Sequence, residues 1–208
     1  MRRLLAAALG LAAFGVMSPA SASGAGVIAV LGDSLTAGLG VAADEAFPAL
    51  LEARLRREGY DYRVVNAGVS GDTTAGGLRR VDWVLKSKPV IVVVALGAND
   101  GLRGQSPALM RDNLEAIIAR LQVSGARVLL AGMRMPPNYG AQYTREFAAV
   151  YPEVARRTGV ALMPFLLDGV AAEPRFLQAD GLHPNAAGYQ IIADRLWPYL
   201  LPLLRRPS

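Results

Sequence analysis

The chain has 208 residues, 52% hydrophobic and 19% charged, which is room for one domain with a sizeable core and too little for two ordinary ones. It contains no cysteine, which excludes disulfides, thiolate metal sites and cysteine nucleophiles; its single histidine, His183, excludes sites that need several imidazoles, leaving only a carboxylate metal site. Net charge is +5, but the basic residues (Arg54, Arg56, Arg57, Arg79, Arg80, Arg120, Arg156, Arg157) are scattered without interleaved aromatics, which reads as a solvated basic surface and not as a nucleic-acid site.

Met1-Arg2-Arg3 is followed by a short apolar run, Leu4 to Val16, and then by Ala20-Ser21-Ala22. A charged start, a short apolar centre and a small-residue cleavage site are the layout of a secretory signal over residues 1–22. The run is shorter than the roughly 20 residues of a spanning helix, so no membrane anchor is expected after cleavage. The expected mature domain, residues 23–208, is exported to the periplasm or beyond. Loss of Arg2 and Arg3 lowers its net charge from +5 to +3.

Strand-like and helix-like segments then alternate. Val27–Leu31 is a strand and Phe47–Glu58 a helix; Arg63–Asn66 is a strand and Thr73–Leu85 a helix. Val90–Leu96, apolar on both faces, is the most strand-like segment. Pro107–Val123 carries Leu109, Leu114, Ile117, Ile118 and Leu121 along one helical face. Arg127–Ala131 is a strand, Gln142–Thr158 a helix with a break expected near Pro152, and Val160–Met163 a last strand. Asn185–Leu204 is a last helix, with interruptions at Pro198 and Pro202. Asp168–Leu182 fits no pattern. Apolar strands each followed by a helix imply a parallel sheet covered on both faces, here a doubly wound α/β/α domain of five units.

Polar clusters close the first three strands: Gly32-Asp33-Ser34, then Asn66 through Gly71 to Asp72, then Gly97-Ala98-Asn99-Asp100. In a parallel sheet these ends share one edge, where open α/β folds place their ligands. A fourth cluster, Asp180-Gly181-Leu182-His183-Pro184, precedes the final helix. Together they hold what ester hydrolysis needs. Ser34 is a hydroxyl nucleophile, His183 a base that changes charge near neutral pH, and Asp180 a carboxylate to orient it. The backbone N–H groups of Ser34 and Gly71 and the Asn99 amide are donors for an oxyanion. Each residue also has an ordinary use: Asn99-Asp100 as a helix cap, Asp72 or Thr73 as the next N-cap, His183 as a loop residue, Asp180 as a turn cap. Their joint placement on one edge is what those uses leave unexplained.

Two other readings compete. Gly38-Leu39-Gly40-Val41-Ala42-Ala43 matches a dinucleotide-binding fingerprint, but six residues separate it from Leu31, and strand two ends without the expected acid. A carbohydrate deacetylase would use the same catalytic residues. Pro164-Phe165-Leu166-Leu167 has two readings, acyl pocket or core, and the glycines of Gly101-Leu102-Arg103-Gly104 suggest a loop that moves over substrate.

The four clusters, in this order, resemble the four blocks of the SGNH (GDSL-type) hydrolases. Met135 to Gly140 and Gln178 to Asn185 are similar to segments of the thioesterase I/lysophospholipase L1 and arylesterase branch. The resemblance spans the mature chain. It implies Ser34 as nucleophile, His183 as base, Asp180 as its partner, and Ser34, Gly71 and Asn99 as the oxyanion hole. It also implies a five-stranded parallel sheet of flavodoxin-like order 2-1-3-4-5, no cofactor, and acyl ester or thioester substrates including aryl esters and lysophospholipids.

Overall fold

A strand that is apolar on both faces can only lie inside a sheet covered on both sides. Residues 26–206, described by a computed structural model, form one such sheet; the expected leader lies outside the described residues. Its strands are β1 (Gly26–Gly32), β2 (Tyr62–Gly68), β3 (Ile91–Ala95), β4 (Arg127–Ala131) and β5 (Ala161–Met163). All pair in parallel, in the order β2-β1-β3-β4-β5, as expected. β3 is wholly buried, whereas β2, at an edge, is half exposed.

The helices are α1 (Ser34–Ala37), α2 (Phe47–Arg57), α3 (Thr74–Leu85), α4 (Ala98–Leu102), α5 (Pro107–Val123), α6 (Ala141–Thr158) and α7 (Ala186–Leu200). α5 packs between α3 and α6, while α2 packs against α7, so the sheet is covered on both faces. α1 and α4, four and five residues long, have no counterpart in the sequence reading, because they are too short for a helical period to show. α6 runs through Pro152 and α7 through Pro198, without the expected breaks. Both prolines are exposed, so the ring and the carbonyl that loses its partner are on the solvent side. α7 ends at Leu200, and Leu201–Leu203 continue as a 3-10 turn.

Register places the site. Gly32 at the end of β1 is level with Gly68 of β2 and Ala95 of β3, so the three polar clusters leave the sheet side by side. The chain reverses its winding between β1 and β3, which is where a doubly wound sheet opens its crevice. Close approach there requires glycine: a Cβ on Gly68 would lie 2.2 Å from the Ala37 backbone nitrogen.

Two of the competing readings acquire structural uses. Gly38 is the left-handed cap of α1 (φ 79°) and Gly40 (φ 82°) packs against Gln178, so the glycine run ends a helix and does not lead from a strand into one. Leu166 and Leu167 are buried in the core, while Pro164 and Phe165 line an open cavity of about 360 Å³ with Arg134 and Arg195.

Candidate active site

β1 ends at Gly32, whose missing Cβ leaves room for the Thr36 side chain, and the chain turns at once into α1. Asp33 caps that helix, its Oδ1 accepting the Leu35 N–H at 3.0 Å. Ser34 is the first helical residue, 8% exposed. Its Oγ lies 2.9 Å from Nε2 of His183, 149 positions later in the chain.

His183 stands on the loop before α7. The loop is closed by an antiparallel bridge between Leu177 and Pro184 and by the Gln178 N–H donating to the His183 carbonyl (2.8 Å). Asp180 turns the loop on itself: its Oδ1 accepts the N–H groups of Leu182 (2.9 Å) and His183 (3.0 Å). Its Oδ2 lies 2.6 Å from Nδ1 of His183. The backbone N–H of His183, then its ring, then the N–H of Leu182 hold the Asp180 carboxyl down at about 2. An ionised carboxylate only accepts, so Nδ1 carries the ring proton and Nε2 is left to accept from the Ser34 hydroxyl.

Gly71 and Asn99 reach the same edge. Gly71, exposed and at φ 79°, sits in the turn closed by the Asp72 N–H donating to the Val69 carbonyl. The N–H groups of Ser34 and Gly71 make no hydrogen bond within the described residues. Asn99, in the first turn of α4, donates through Nδ2 to the Asp72 carbonyl (3.0 Å) and to Oδ2 of Asp33 (3.2 Å). The structure thus brings Ser34, Gly71, Asn99, Asp180 and His183 to one edge.

Several residues that the sequence reading left outside the catalytic set support the site. Asp33 is 1% exposed, and burial pushes its carboxyl up to about 6, against the weaker opposing effects of the Leu35 N–H and His183. Asp100, equally buried, accepts the N–H and the hydroxyl of Thr74 (2.8 and 2.6 Å), tying α4 to the start of α3. Thr73 caps α3, accepting from Gly76 at 3.3 Å. Gln178 donates through Nε2 to the carbonyls of Leu39 (2.7 Å) and Pro184 (2.8 Å), joining the His183 loop to the segment after Ser34. Arg80, grouped by sequence with the solvated basic residues, is instead half-buried and ion-paired with Asp72. The Asp33 and Thr73 caps had local signals, a polar residue just ahead of a helix; most of the other partners are distant in sequence. The Gly101–Gly104 segment is held by Tyr139, whose hydroxyl donates to Leu102 (3.3 Å), and by Tyr143, bonded to Gln105 (2.8 Å). Among the described residues, no group of three or more His, Cys, Asp or Glu side chains is arranged to hold a metal ion.

A hydroxyl, an imidazole and a carboxylate in hydrogen-bonded series, beside free N–H groups at a sheet's switch point, define the class of serine hydrolases. Residues 30–191 match the GDSL-like Lipase/Acylhydrolase family. The chain is 48% identical over 176 residues to the esterase TesA of Pseudomonas aeruginosa, covering 84% of this chain and 88% of that protein. It is 42% identical over 166 residues to an arylesterase of Vibrio mimicus (79% and 83% covered). It is 40% identical over 188 residues to thioesterase 1/protease 1/lysophospholipase L1 of Escherichia coli K12 (90% and 89% covered). A crystal structure of TesA superposes with a TM-score of 0.83 at 47% identity, covering 86% of this chain and 99% of that one. The chain belongs to the GDSL-like lipase/acylhydrolase family, and it is a carboxylic ester hydrolase.

Proposed function

We propose that the chain cleaves acyl esters and thioesters, aryl esters and lysophospholipids among them, through an acyl-enzyme on Ser34. The observation that carries this reading is the unbroken series Ser34 Oγ–His183 Nε2 (2.9 Å) and His183 Nδ1–Asp180 Oδ2 (2.6 Å). His183 takes the hydroxyl proton as Oγ attacks the acyl carbonyl, and Asp180 steadies the charged ring. The N–H groups of Ser34 and Gly71 receive the oxyanion, together with the Asn99 N–H that gives up its longer bond to Asp33 Oδ2 (3.2 Å). Collapse breaks the ester or thioester bond, and His183 returns the proton to the leaving alcohol or thiol. Water, deprotonated by the same imidazole, then releases the acid and restores Ser34.

The substrate classes follow the names of the relatives, and export follows the leader-like residues 1–22. No helix among the described residues is long and apolar enough to cross a membrane. The test is the purified 23–208 chain assayed on p-nitrophenyl esters of graded acyl length, an acyl-CoA and a lysophospholipid. Each should be hydrolysed, and Ser34→Ala should bring all three to background. Turnover retained in Ser34→Ala would overturn the assignment.

A further inference from the structure

Arg80 stands in the second turn of α3, away from the Ser34–His183 pair, yet its guanidinium reaches the segments that carry the Ser34 and Gly71 donors and, through Asp72, the Asn99 amide. Nε and Nη2 lie 2.8 and 2.6 Å from Oδ2 of Asp72; Nη1 donates to the Ala67 carbonyl (3.0 Å) and Nη2 to the Gly32 carbonyl (3.2 Å). Gly32 ends β1, two residues before Ser34. Ala67 lies in the last turn of pleat of β2, and Asp72 directly follows Gly71. The Asp72 carbonyl is also the acceptor that orients the Asn99 amide. The arginine side chain is 22% exposed and that of Asp72 11%, so this pair is largely shielded from water. Space for the carboxylate comes from α3 itself, since a Cβ on Gly76 would lie 1.6 Å from Asp72 Oδ1.

We infer that Arg80 is a positioning residue for the reaction: one guanidinium sets the spacing of the Ser34 and Gly71 N–H groups and, through Asp72, of the Asn99 amide. The inference rests on the oxyanion-hole reading above. A guanidinium suits the task because its donors form a rigid planar fork that stays charged, whereas a lysine ammonium is a single point that cannot hold three acceptors in fixed directions. Donors of an oxyanion hole act only when preorganised, so a small shift in their spacing costs rate and not substrate affinity.

The test compares Arg80→Lys, and from the other side of the pair Asp72→Asn, with the parent on a short p-nitrophenyl ester, each with a melting curve. Arg79→Lys, at the exposed neighbouring arginine, is the control and should match the parent. kcat should fall roughly 10- to 100-fold in both variants, with KM within about twofold. Because part of its effect runs through Asp72 to the Asn99 amide, Arg80→Lys added to Asn99→Ala should slow that variant by less than it slows the parent. A folded Arg80→Lys with parental kcat, a loss lying mainly in KM, or a full multiplicative effect on top of Asn99→Ala overturns the inference. Full activity in Asn99→Ala would instead sink the oxyanion-hole reading itself, so the two failures are told apart.

Discussion

Asp33 and Asp180 are two carboxylates that both feel the charge of His183, and their environments drive them apart. Asp180, half exposed, is held at about 2 by three N–H donors, so it stays ionised and lends stability that is lost only as pH falls from about 4 through 2. Asp33 is buried, and its carboxyl is pushed up to about 6. Between pH 4 and 6 the folded chain therefore holds a proton on Asp33 that the unfolded chain has released. The unfolded state binds fewer protons there, so stability falls as pH rises through that window, by an amount on the order of 3 kcal/mol. Asp33→Asn removes this slope: in urea denaturation at pH 4, 5, 6 and 7, the variant should gain on the parent as pH rises. A constant offset would contradict the raised carboxyl.

The elements that carry the site are joined by a few buried polar contacts. α4 and α3 meet where Asp100 accepts the N–H and hydroxyl of Thr74, and Asn113 adds a bond to the same hydroxyl (3.1 Å). This joint fixes α4, with Asn99, against the helix that follows Gly71. Asp100→Ala leaves the Thr74 N–H buried without its acceptor, at a cost of about 1–3 kcal/mol. Chemical denaturation should show that loss, and an unchanged midpoint would mean that the joint bears no weight. The elements themselves were readable in proportion to their length. α5 and β4 have the bounds their patterns predict, since seventeen residues of helical period and five of apolar run are unambiguous. α1 and α4 were not readable, because one turn of helix has no period. The prolines misled in α6 and α7, since a local rule cannot know that each ring would lie on the solvent side.

At the scale of the whole molecule, the parallel sheet turns four separated clusters into one edge. Residues 26–206 supply every group of the proposed mechanism, so cleavage after Ala22 should leave catalysis intact. Mass spectrometry of the exported protein should find an N-terminus at residue 23, and the 23–208 chain should match it in kcat; an exported product retaining Met1 would rule out the leader. What the linear chain determined alone is what depends on composition and near neighbours. These are the absence of thiols, the single imidazole, the strand and helix alternation, and the Asp180–His183 pair, which lies within one turn. Only the tertiary structure decided that Ser34 and His183 meet, that Arg80 faces inward to Asp72, and that Gln178 ties two loops. Those contacts depend on strand order and register, and burial of Asp33 depends on what packs over it. Neither leaves a local pattern, because a hydrogen bond between residues 149 positions apart constrains none of the residues between them.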